Sequence, residues 1–500
     1  MTANVLAFGL SIVISFFLTP YITKNVGIEA YGLVGLANSF TSYILVITTA
    51  LNSMASRFII IELYRKNIDK ANSYFSSVLL ANTAFALVLT IPSIWLILNI
   101  NILKISPNLI LDAQLTFAFI LLGFLVNLIG AFYGIVLYAK NILWKGSFRV
   151  TESYLIRLIL IFLLFTLLSP KIYYVVLATF IASLYPLIFN IHYTRVLIPE
   201  LKVRKKWFSV KAIKDLLFSG IWNSITKLSQ ILLDGVDLLL CNLFINGVMT
   251  GNVSIAKTIP ALYTGLVAVL SDSFYPKFLE YYSKNQEEEL FAEIRKSINV
   301  LSAISGICLS LLLVYSKEFY SLWLPNCDSS LLQTLTILAT GTILISGCVY
   351  SLFSVFSLTN KVRYNSIALL ITGILSVVTT IICLKFTNLG VYAIVGISSI
   401  FGIVRNLGFT PIYAAKCLGL PFYTFYPVLI RNLINIICLI LICIGIKQLI
   451  PSNNWSSLFL NGLINVIIGA TTTAFILFSK EERKYLLNSV YNLFSIYVEK

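Results

Sequence analysis

Long apolar runs separated by short polar stretches extend along the whole chain. A helix that crosses a bilayer needs about 20 apolar residues, and about fourteen runs reach that length. In the first half they lie near 3–22, 34–60, 74–98, 111–137, 150–168 and 173–197, and in the second half near 215–245, 249–275, 297–315, 329–357, 364–384, 389–415, 424–449 and 456–479. Strands of a membrane barrel alternate over about 10 residues. The continuous runs therefore predict an all-α polytopic membrane protein with about 14 transmembrane helices.

The connections between these runs alternate in charge. Odd-numbered connections carry about one basic residue each or none: Lys24, Lys104, Lys171, Lys317, Lys385 and Lys447. Even-numbered connections carry more, from Lys416 alone in the last to the densest cluster, Lys202, Arg204, Lys205, Lys206, Lys211 and Lys214. The C-terminal end adds Lys480, Arg483 and Lys484. Cytoplasmic loops are enriched in Lys and Arg. The alternation predicts a multi-pass protein of the inner or plasma membrane with both termini in the cytoplasm.

Two polar features at the predicted cytoplasmic face have simple interpretations. The stretch 277–296, which contains Glu287, Glu288 and Glu289, predicts a solvated helix lying along that face. His192 is the only histidine and falls near the cytoplasmic end of the sixth run, where an interfacial residue is favoured over a proton relay.

The composition agrees with a lipid environment. Hydrophobic residues make up 58% of the chain and charged residues 11%, and the mean hydropathy is +0.92. A soluble protein carries about 25% charged residues. The formal charge of +16 would suit a nucleic-acid partner, but the basic residues lie in clusters between apolar runs and no nucleic-acid motif is present. We therefore expect no nucleic-acid partner.

The residue types also exclude several kinds of chemistry. The eight cysteines contain no C-x-x-C pair, so neither a disulfide framework nor a zinc site is expected. With a single histidine, most His-based catalysis is excluded. We predict no metal, no cofactor and no enzymatic activity. The first apolar run, 4–22, has no basic region before it and no A-x-A site, so it is expected to be a membrane helix and not a signal peptide.

An internal repeat relates the two halves. A shift of 219 positions aligns Gly32 with Gly251, Ala37 with Ala256 and Asn141 with Asn360. Transporters are often built from such repeats. The shift predicts an N-terminal six-helix lobe (1–198), a basic cytoplasmic linker (199–214), a C-terminal six-helix lobe (215–418), and an extra helix pair with a cytoplasmic tail (419–500).

Short motifs carry a family resemblance. The stretch 19–33, with Pro20, Gly27, Tyr31 and Gly32, resembles the first connection of polysaccharide flippases in the MATE-like MOP superfamily. The stretch 233–256 is similar to their seventh helix and the turn after it, where Gly251 is followed by Asn and Val in place of a Tyr pattern. Within the superfamily the chain looks most like O-antigen or capsule repeat-unit flippases of the Wzx type.

The resemblance implies a fold and a function. The fold would be two six-helix lobes in a MATE-like V shape, with a C-terminal helix pair. The function would be the transfer of undecaprenyl-diphosphate-linked oligosaccharides from the cytoplasmic to the periplasmic leaflet by alternating access, coupled to an ion. The implied partners are the lipid-linked oligosaccharide, the lipid bilayer, and the polysaccharide polymerase and chain-length proteins.

Basic residues inside the predicted helices agree with an anionic cargo. An ionisable group in a span costs about 2.5–3.5 kcal/mol on insertion scales, so it faces a cavity or a partner. The candidates for a cationic cavity are Lys227, Lys257, Arg157, Arg405 and Arg57. Four of them have alternatives. Arg57 and Arg405 can reach the interface along their own helices, Arg157 can pair with Glu152 or lie at the interface, and Lys227 can belong to a structural salt bridge.

Two carboxylates on the seventh run are candidates for ion coupling. Asp234 and Asp237 are three residues apart, hence on one face of a regular helix, and Lys227 lies seven residues before Asp234. Protonation of an aspartate would release a lysine. The alternative is a structural salt bridge.

Two other functions fit the sequence less well. A cation-coupled multidrug exporter of the same fold would need an acidic or aromatic cavity, whereas the embedded basic residues outnumber the acidic ones. A membrane enzyme of glycan assembly, such as a polymerase or an acyltransferase, usually has a long periplasmic loop or a histidine in its site, and neither feature occurs here.

Overall fold

The computed structural model describes residues 2–480, 482 and 483, and this part of the chain is helical without β-strands. The helices in the first half are α1 (Thr2–Val26), α2 (Ile28–Tyr64), α3 (Ile68–Leu98), α4 (Ile110–Gly130), α5 (Ile135–Ala139), α6 (Leu143–Leu167), α7 (Ile172–Leu197), α8 (Val210–Gln230) and α9 (Asp237–Phe244). Those in the second half are α10 (Gly247–Asp272), α11 (Tyr275–Ser283), α12 (Glu287–Trp323), α13 (Ser329–Leu358), α14 (Val362–Phe386), α15 (Val391–Cys417), α16 (Tyr426–Leu449) and α17 (Trp455–Leu477).

The predicted number of spans agrees with these helices. Within the described residues, 12 helices are long and apolar enough to cross a membrane, and Ile12–Val26 of α1 is a shorter apolar helix. The remaining predicted span, 215–245, corresponds to α8 and α9, which a turn of π-helix at Ile231–Gly235 separates. The all-α polytopic membrane fold is confirmed.

The predicted helix over 277–296 is wrong. The chain forms the short α11, turns at Asn285, and enters α12 at Glu287. Asn285 has φ 54°, a left-handed conformation that asparagine tolerates better than most residues. The three glutamates therefore occupy the first turn of a long helix, where carboxylates interact favourably with the helix dipole. Lys484 and the predicted tail from 484 lie outside the described residues.

The helix bounds repeat with the predicted shift. Four pairs of helices begin 219 residues apart: α2 and α10, α3 and α12, α6 and α14, and α7 and α15. Three pairs end 219 residues apart: α2 and α11, α5 and α13, and α6 and α14. Two connections even share a rare backbone conformation, since φ is positive at Lys66 and Asn285 and again at Asn141 and Asn360. The 219-residue repeat is therefore present in the local structure of both halves.

The chain divides into two compact units that differ from the predicted lobes. One contains Met1–Ile255 and Leu369–Ile394, and the other contains Ala256–Ala368 and Val395–Lys500. Residues 215–255 thus pack with the first unit, mainly because α8 lies along α2. The lobe boundaries at 198 and 215 stay a prediction about the repeat.

Odd-numbered connections contact one another. In the first unit, the Ser106 hydroxyl after α3 donates to the Glu29 carboxylate at the start of α2 over 2.6 Å. The Lys104 ammonium donates to the Leu243 carbonyl at the end of α9 over 2.9 Å.

Even-numbered connections also contact one another. The Tyr64 hydroxyl at the end of α2 donates to the Ala139 carbonyl at the end of α5 over 3.1 Å. In the second unit, the Lys361 ammonium before α14 donates to the Cys417 carbonyl at the end of α15 over 3.1 Å. Within each unit, the connections that touch are therefore of equal parity, as expected when every span crosses the membrane.

Candidate functional site

The family-motif residues form a helix corner and a close helix crossing in the first unit. Gly27 joins α1 to α2 with φ 88°, a conformation that glycine adopts without strain. Pro20 lies inside α1, and the hydroxyl groups of Tyr31 and Thr19 are 3.4 Å apart across the corner. These residues set the angle between two membrane helices, which is a structural role.

Gly32 and Gly251 allow α2 and α10 to touch. A Cβ atom on Gly32 would lie 2.7 Å from the backbone nitrogen of Gly251, and one on Gly251 would overlap the carbonyl of Ile28. One turn further, a Cβ atom on Gly35 would lie 2.5 Å from the Ser254 hydroxyl. Small residues commonly permit such approaches between membrane helices.

A second close seam joins α2 to α8. A Cβ atom on Gly220 would overlap the Ala50 carbonyl. The Ser224 hydroxyl donates to the Val46 carbonyl over 2.6 Å, and the Asn223 amide donates to the Ser53 hydroxyl over 3.1 Å. This seam holds the helix that carries Lys227 against the centre of α2.

The two candidate coupling carboxylates have different environments. The π-helical turn at Ile231–Gly235 interrupts the run, so Asp234 is exposed while Asp237, the first residue of α9, is 3% exposed. The expectation of one regular helical face is therefore corrected, because the π-turn changes the helical phase between the two residues. The Tyr43 hydroxyl, which the sequence did not single out, donates to the Gly235 carbonyl over 2.9 Å and fixes this turn to α2.

Lys227 and Arg157 are embedded cations that pair with no carboxylate in the part of the chain that the structure describes. Lys227 is half-buried on α8, and no hydrogen bond or ion pair joins it to the described residues. Arg157 is half-buried on α6, and its Nε atom is buried without a hydrogen-bond partner in the described part of the chain. Tyr31 and Tyr154 are its electrostatic neighbours. Arg157 thus lies near the family-motif corner.

Arg157 does not pair with Glu152, so that alternative to a substrate role is not formed. Glu152 accepts a hydrogen bond from Arg149 Nη1 over 2.7 Å and another from the Tyr185 hydroxyl over 2.9 Å. Arg149 also donates through Nε to the Tyr193 hydroxyl over 3.2 Å. Arg149 is not among the site candidates from the sequence. Its spacing of three from Glu152, together with two tyrosines eight residues apart on the next helix, was an available signal.

Three other candidate cations have different surroundings. Arg57 is exposed on α2, in agreement with a side chain that reaches the interface. Lys257 is half-buried on α10. Arg405 is 9% exposed in the second unit, where it donates to the amide oxygens of Asn365 over 2.6 Å and Asn406 over 3.2 Å. These bonds favour a structural role for Arg405.

The described residues contain no group of three or more His, Cys, Asp or Glu side chains that could hold a metal ion. The embedded residues described above offer positive charge, amide groups and hydroxyl groups, together with the carboxylates of Asp234 and Asp237.

Comparisons with known proteins identify a matching family and a similar protein. A family model described as "Polysaccharide biosynthesis protein" matches residues 1–282. The chain is 28% identical over 490 residues to a Bacillus subtilis (strain 168) protein named "Uncharacterized membrane protein EpsK", covering 97% of this chain and 96% of that one.

Two solved structures have a similar fold. The lipid II flippase MurJ in an inward closed conformation superposes with a TM-score of 0.71 at 17% identity, covering 95% of this chain and 99% of MurJ. An inward-facing multidrug resistance MATE family transporter of the MOP superfamily gives a TM-score of 0.59 at 15% identity, covering 84% of this chain and 94% of the transporter. At these identities the likeness concerns the fold.

Proposed function

Because this chain belongs to the polysaccharide biosynthesis protein family, we propose that it is a flippase for undecaprenyl-diphosphate-linked oligosaccharide repeat units. The cargo is an O-antigen or capsule precursor that moves from the cytoplasmic leaflet to the outer leaflet by alternating access. The fold shared with a lipid II flippase supports this proposal.

The observation that carries the proposal is the state of Arg157. A guanidinium group whose Nε atom is buried without a hydrogen-bond partner is costly inside a membrane protein. An anionic ligand removes that cost. A diphosphate suits it well, because the planar guanidinium donates two parallel hydrogen bonds to phosphate oxygens.

Lys227 supports the same proposal from another helix. It is half-buried and makes no hydrogen bond or ion pair with the described residues, so its ammonium group is available to an anion. Lys257 is proposed as a third substrate contact from α10. Arg57, exposed on α2, is proposed to contact the cargo near the interface.

We assign ion coupling to the segment around the π-turn. Asp237 is buried, so a change in its protonation alters the charge inside the protein. Asp234, which is exposed and three residues earlier, is proposed as the group that first binds the coupling ion. π-helical turns occur frequently at functional sites.

The experiment replaces the embedded cations in a strain that lacks the gene and makes a surface polysaccharide. Arg157→Gln and Lys227→Gln remove charge with little change in size. We expect each to lower glycan export about tenfold or more at normal protein level, since a charge-assisted hydrogen bond contributes about 1.5–3 kcal/mol. Arg157→Lys should restore part of the export.

The matched control is Arg195→Gln, an exposed basic residue in the last turn of α7. It should leave export unchanged within about twofold, as is usual for surface substitutions. Full export by the Arg157→Gln/Lys227→Gln double variant would contradict the cationic-cavity proposal.

A further inference from the structure

The basic segment 199–214, between α7 and α8, is fixed to the side of α3. The Asn72 amide donates to the Glu200 carbonyl over 3.0 Å, and its oxygen accepts from the Lys202 backbone nitrogen over 2.8 Å. The Ser76 hydroxyl donates to the Lys202 carbonyl and accepts from the Arg204 backbone nitrogen, both over 3.2 Å. Two α3 side chains thus hold the backbone of residues 200–204.

The second part of the segment is anchored in the same way. The Ser77 hydroxyl accepts from the Ser209 backbone nitrogen over 2.9 Å and donates to its carbonyl over 3.4 Å. The Ser209 hydroxyl in turn accepts from the Ala212 nitrogen and caps α8. Asn72, Ser76 and Ser77 are all buried, so these bonds are protected from water. The segment is a fixed part of the first unit and not a loose tether.

Because these hydrogen bonds fix the backbone of the segment, its basic and apolar side chains are held at the protein surface. Exposed basic residues are Lys202, Arg204, Lys205, Lys206, Lys211 and Lys214, and exposed apolar residues between them are Val203, Phe208 and Val210. The Trp207 ring supports two of the cations, with Arg204 5.4 Å and Lys206 4.8 Å from its centroid. The surface therefore combines positive charge with apolar tips.

The depth of the segment decides which partner fits. With 31 residues, α3 is about 46 Å long at 1.5 Å per residue, whereas the hydrocarbon core of a bilayer is about 30 Å thick. Asn72 and Ser77 lie about 6 and 14 Å from its start by the same rise. The apolar run of α3 begins at 74, so the anchoring residues lie at the end of that run, and we expect the segment near the level of the lipid head groups. Exposed valine and phenylalanine at that level suit the boundary between head groups and acyl chains.

We propose that residues 199–214 form a binding surface for anionic phospholipids on the face shared by the even-numbered connections. Lysine and arginine side chains bind the phosphate groups, and Val203, Phe208 and Val210 enter the acyl boundary. Anionic leaflets attract clusters of four to eight basic residues next to a membrane helix. The surface is separate from the proposed cargo site and does not depend on it.

The test measures lipid selectivity of the full-length purified protein by native mass spectrometry. The ratio of bound phosphatidylglycerol to bound phosphatidylcholine is compared between the wild type and the variant Lys202→Gln/Arg204→Gln/Lys205→Gln/Lys206→Gln. We expect the preference for phosphatidylglycerol to fall about tenfold or more, since each basic residue near the membrane surface adds to the attraction for anionic lipids.

The matched control carries Lys66→Gln, Lys70→Gln, Lys140→Gln and Lys480→Gln, which remove four exposed charges outside the segment. It should keep the preference within about twofold, as expected for remote surface changes. An equal loss in the control would overturn the proposal, because net charge alone would then explain the selectivity.

A second variant tests the anchoring without changing any charge. Ser76→Ala/Ser77→Ala removes four hydrogen bonds to the segment, and we expect a partial loss of selectivity at a preserved melting temperature. Unchanged selectivity in both this variant and the quadruple variant would overturn the proposal. A second result would also overturn the proposal: the quadruple variant loses binding of inorganic pyrophosphate or polyglutamate but keeps its binding of phosphatidylglycerol.

Discussion

Gly32 on α2 lies against Gly251 on α10, and these are the two glycines that the 219-residue shift aligns. Gly35 and Ser254, which the same shift aligns, are also in contact one turn further. Equivalent positions meet each other only near a two-fold axis, as at an isologous interface. At the crossing of α2 and α10, equivalent positions of the two repeats are therefore in direct contact.

Substitution at this crossing should destabilise the protein. Gly32→Ala places a Cβ atom 2.7 Å from the Gly251 nitrogen, and backbone at that position cannot move aside as a flexible side chain can. Overpacking of this kind costs about 1–3 kcal/mol. We expect a lower melting temperature in detergent and reduced export.

The control for this prediction is Gly462→Ala on α17, where a Cβ atom meets nothing within 4 Å. It should melt as the wild type does, or slightly higher, because alanine favours helix over glycine. Equal melting temperatures for Gly32→Ala and Gly462→Ala would show that the α2–α10 crossing is looser than described.

The sequence predicted the spans well because their length is set by the bilayer. Thirteen of the fourteen predicted runs overlap a single long helix, and the family and fold resemblance is confirmed by the family model and by the superposition on MurJ. The repeat could be predicted because glycine at Gly32 and asparagine at Asn141 mark special backbone requirements that recur at Gly251 and Asn360.

The candidate site was harder to predict from the sequence than the membrane spans. Which side chains meet depends on how each helix is rotated, and no periodicity along one helix specifies that. Hence Glu152 pairs with Arg149 and not with Arg157. The π-turn at Ile231–Gly235 has no clear signal in the sequence, yet it decides that Asp237 is buried and Asp234 exposed.

The two carboxylates should therefore respond differently to neutralisation. Asp237→Asn should remove the dependence of export on the coupling-ion gradient, because a buried carboxylate changes the internal charge when it binds a cation. Asp234→Asn should lower the rate less, since its carboxylate is exposed. The measurement is export at imposed proton and sodium gradients.

Glu289→Gln serves as the control, because Glu289 is an exposed carboxylate in the first turn of α12. It should export as the wild type does under every gradient. Gradient dependence that survives in Asp237→Asn and disappears in Asp234→Asn would reverse the two assigned roles.

The proposed orientation predicts a labelling pattern. In a cysteine-free background, Asn101→Cys after α3 should react with a membrane-impermeant maleimide in intact cells, while Lys140→Cys after α5 should react only after the membrane is opened. Both positions are exposed, so access to the reagent and not burial determines the result. The opposite pattern would place both termini outside.

The native Cys327, between α12 and α13, is a poor reporter for the same experiment. Burial raises the pKa of the Cys327 thiol, so less thiolate is present at a given pH than for a free cysteine. We expect its labelling to be slow near neutral pH and to accelerate as the pH rises towards the raised pKa. Labelling as fast as that of Asn101→Cys at neutral pH would contradict this.

Hydrogen bonds across α12, α16 and α17 should hold the C-terminal helix pair in the second unit. The Asn465 amide on α17 donates to the Tyr315 hydroxyl on α12 over 3.1 Å, and that hydroxyl donates to the Cys443 carbonyl on α16 over 3.3 Å. Tyr315→Phe removes both bonds and keeps the ring. Interhelical hydrogen bonds in membranes contribute about 0.6–2 kcal/mol. We expect a loss of that size in the free energy of unfolding, measured by denaturant titration in mixed micelles.

A double-mutant cycle isolates the contact. Tyr315→Phe and Asn465→Ala should be non-additive, with a coupling of about 0.5 kcal/mol or more, because each change removes the same bond. Tyr392→Phe, at an exposed tyrosine near the start of α15, controls for loss of a hydroxyl alone and should be neutral. Additive losses in the cycle would mean that apolar packing of α16 and α17, and not this polar chain, attaches the helix pair.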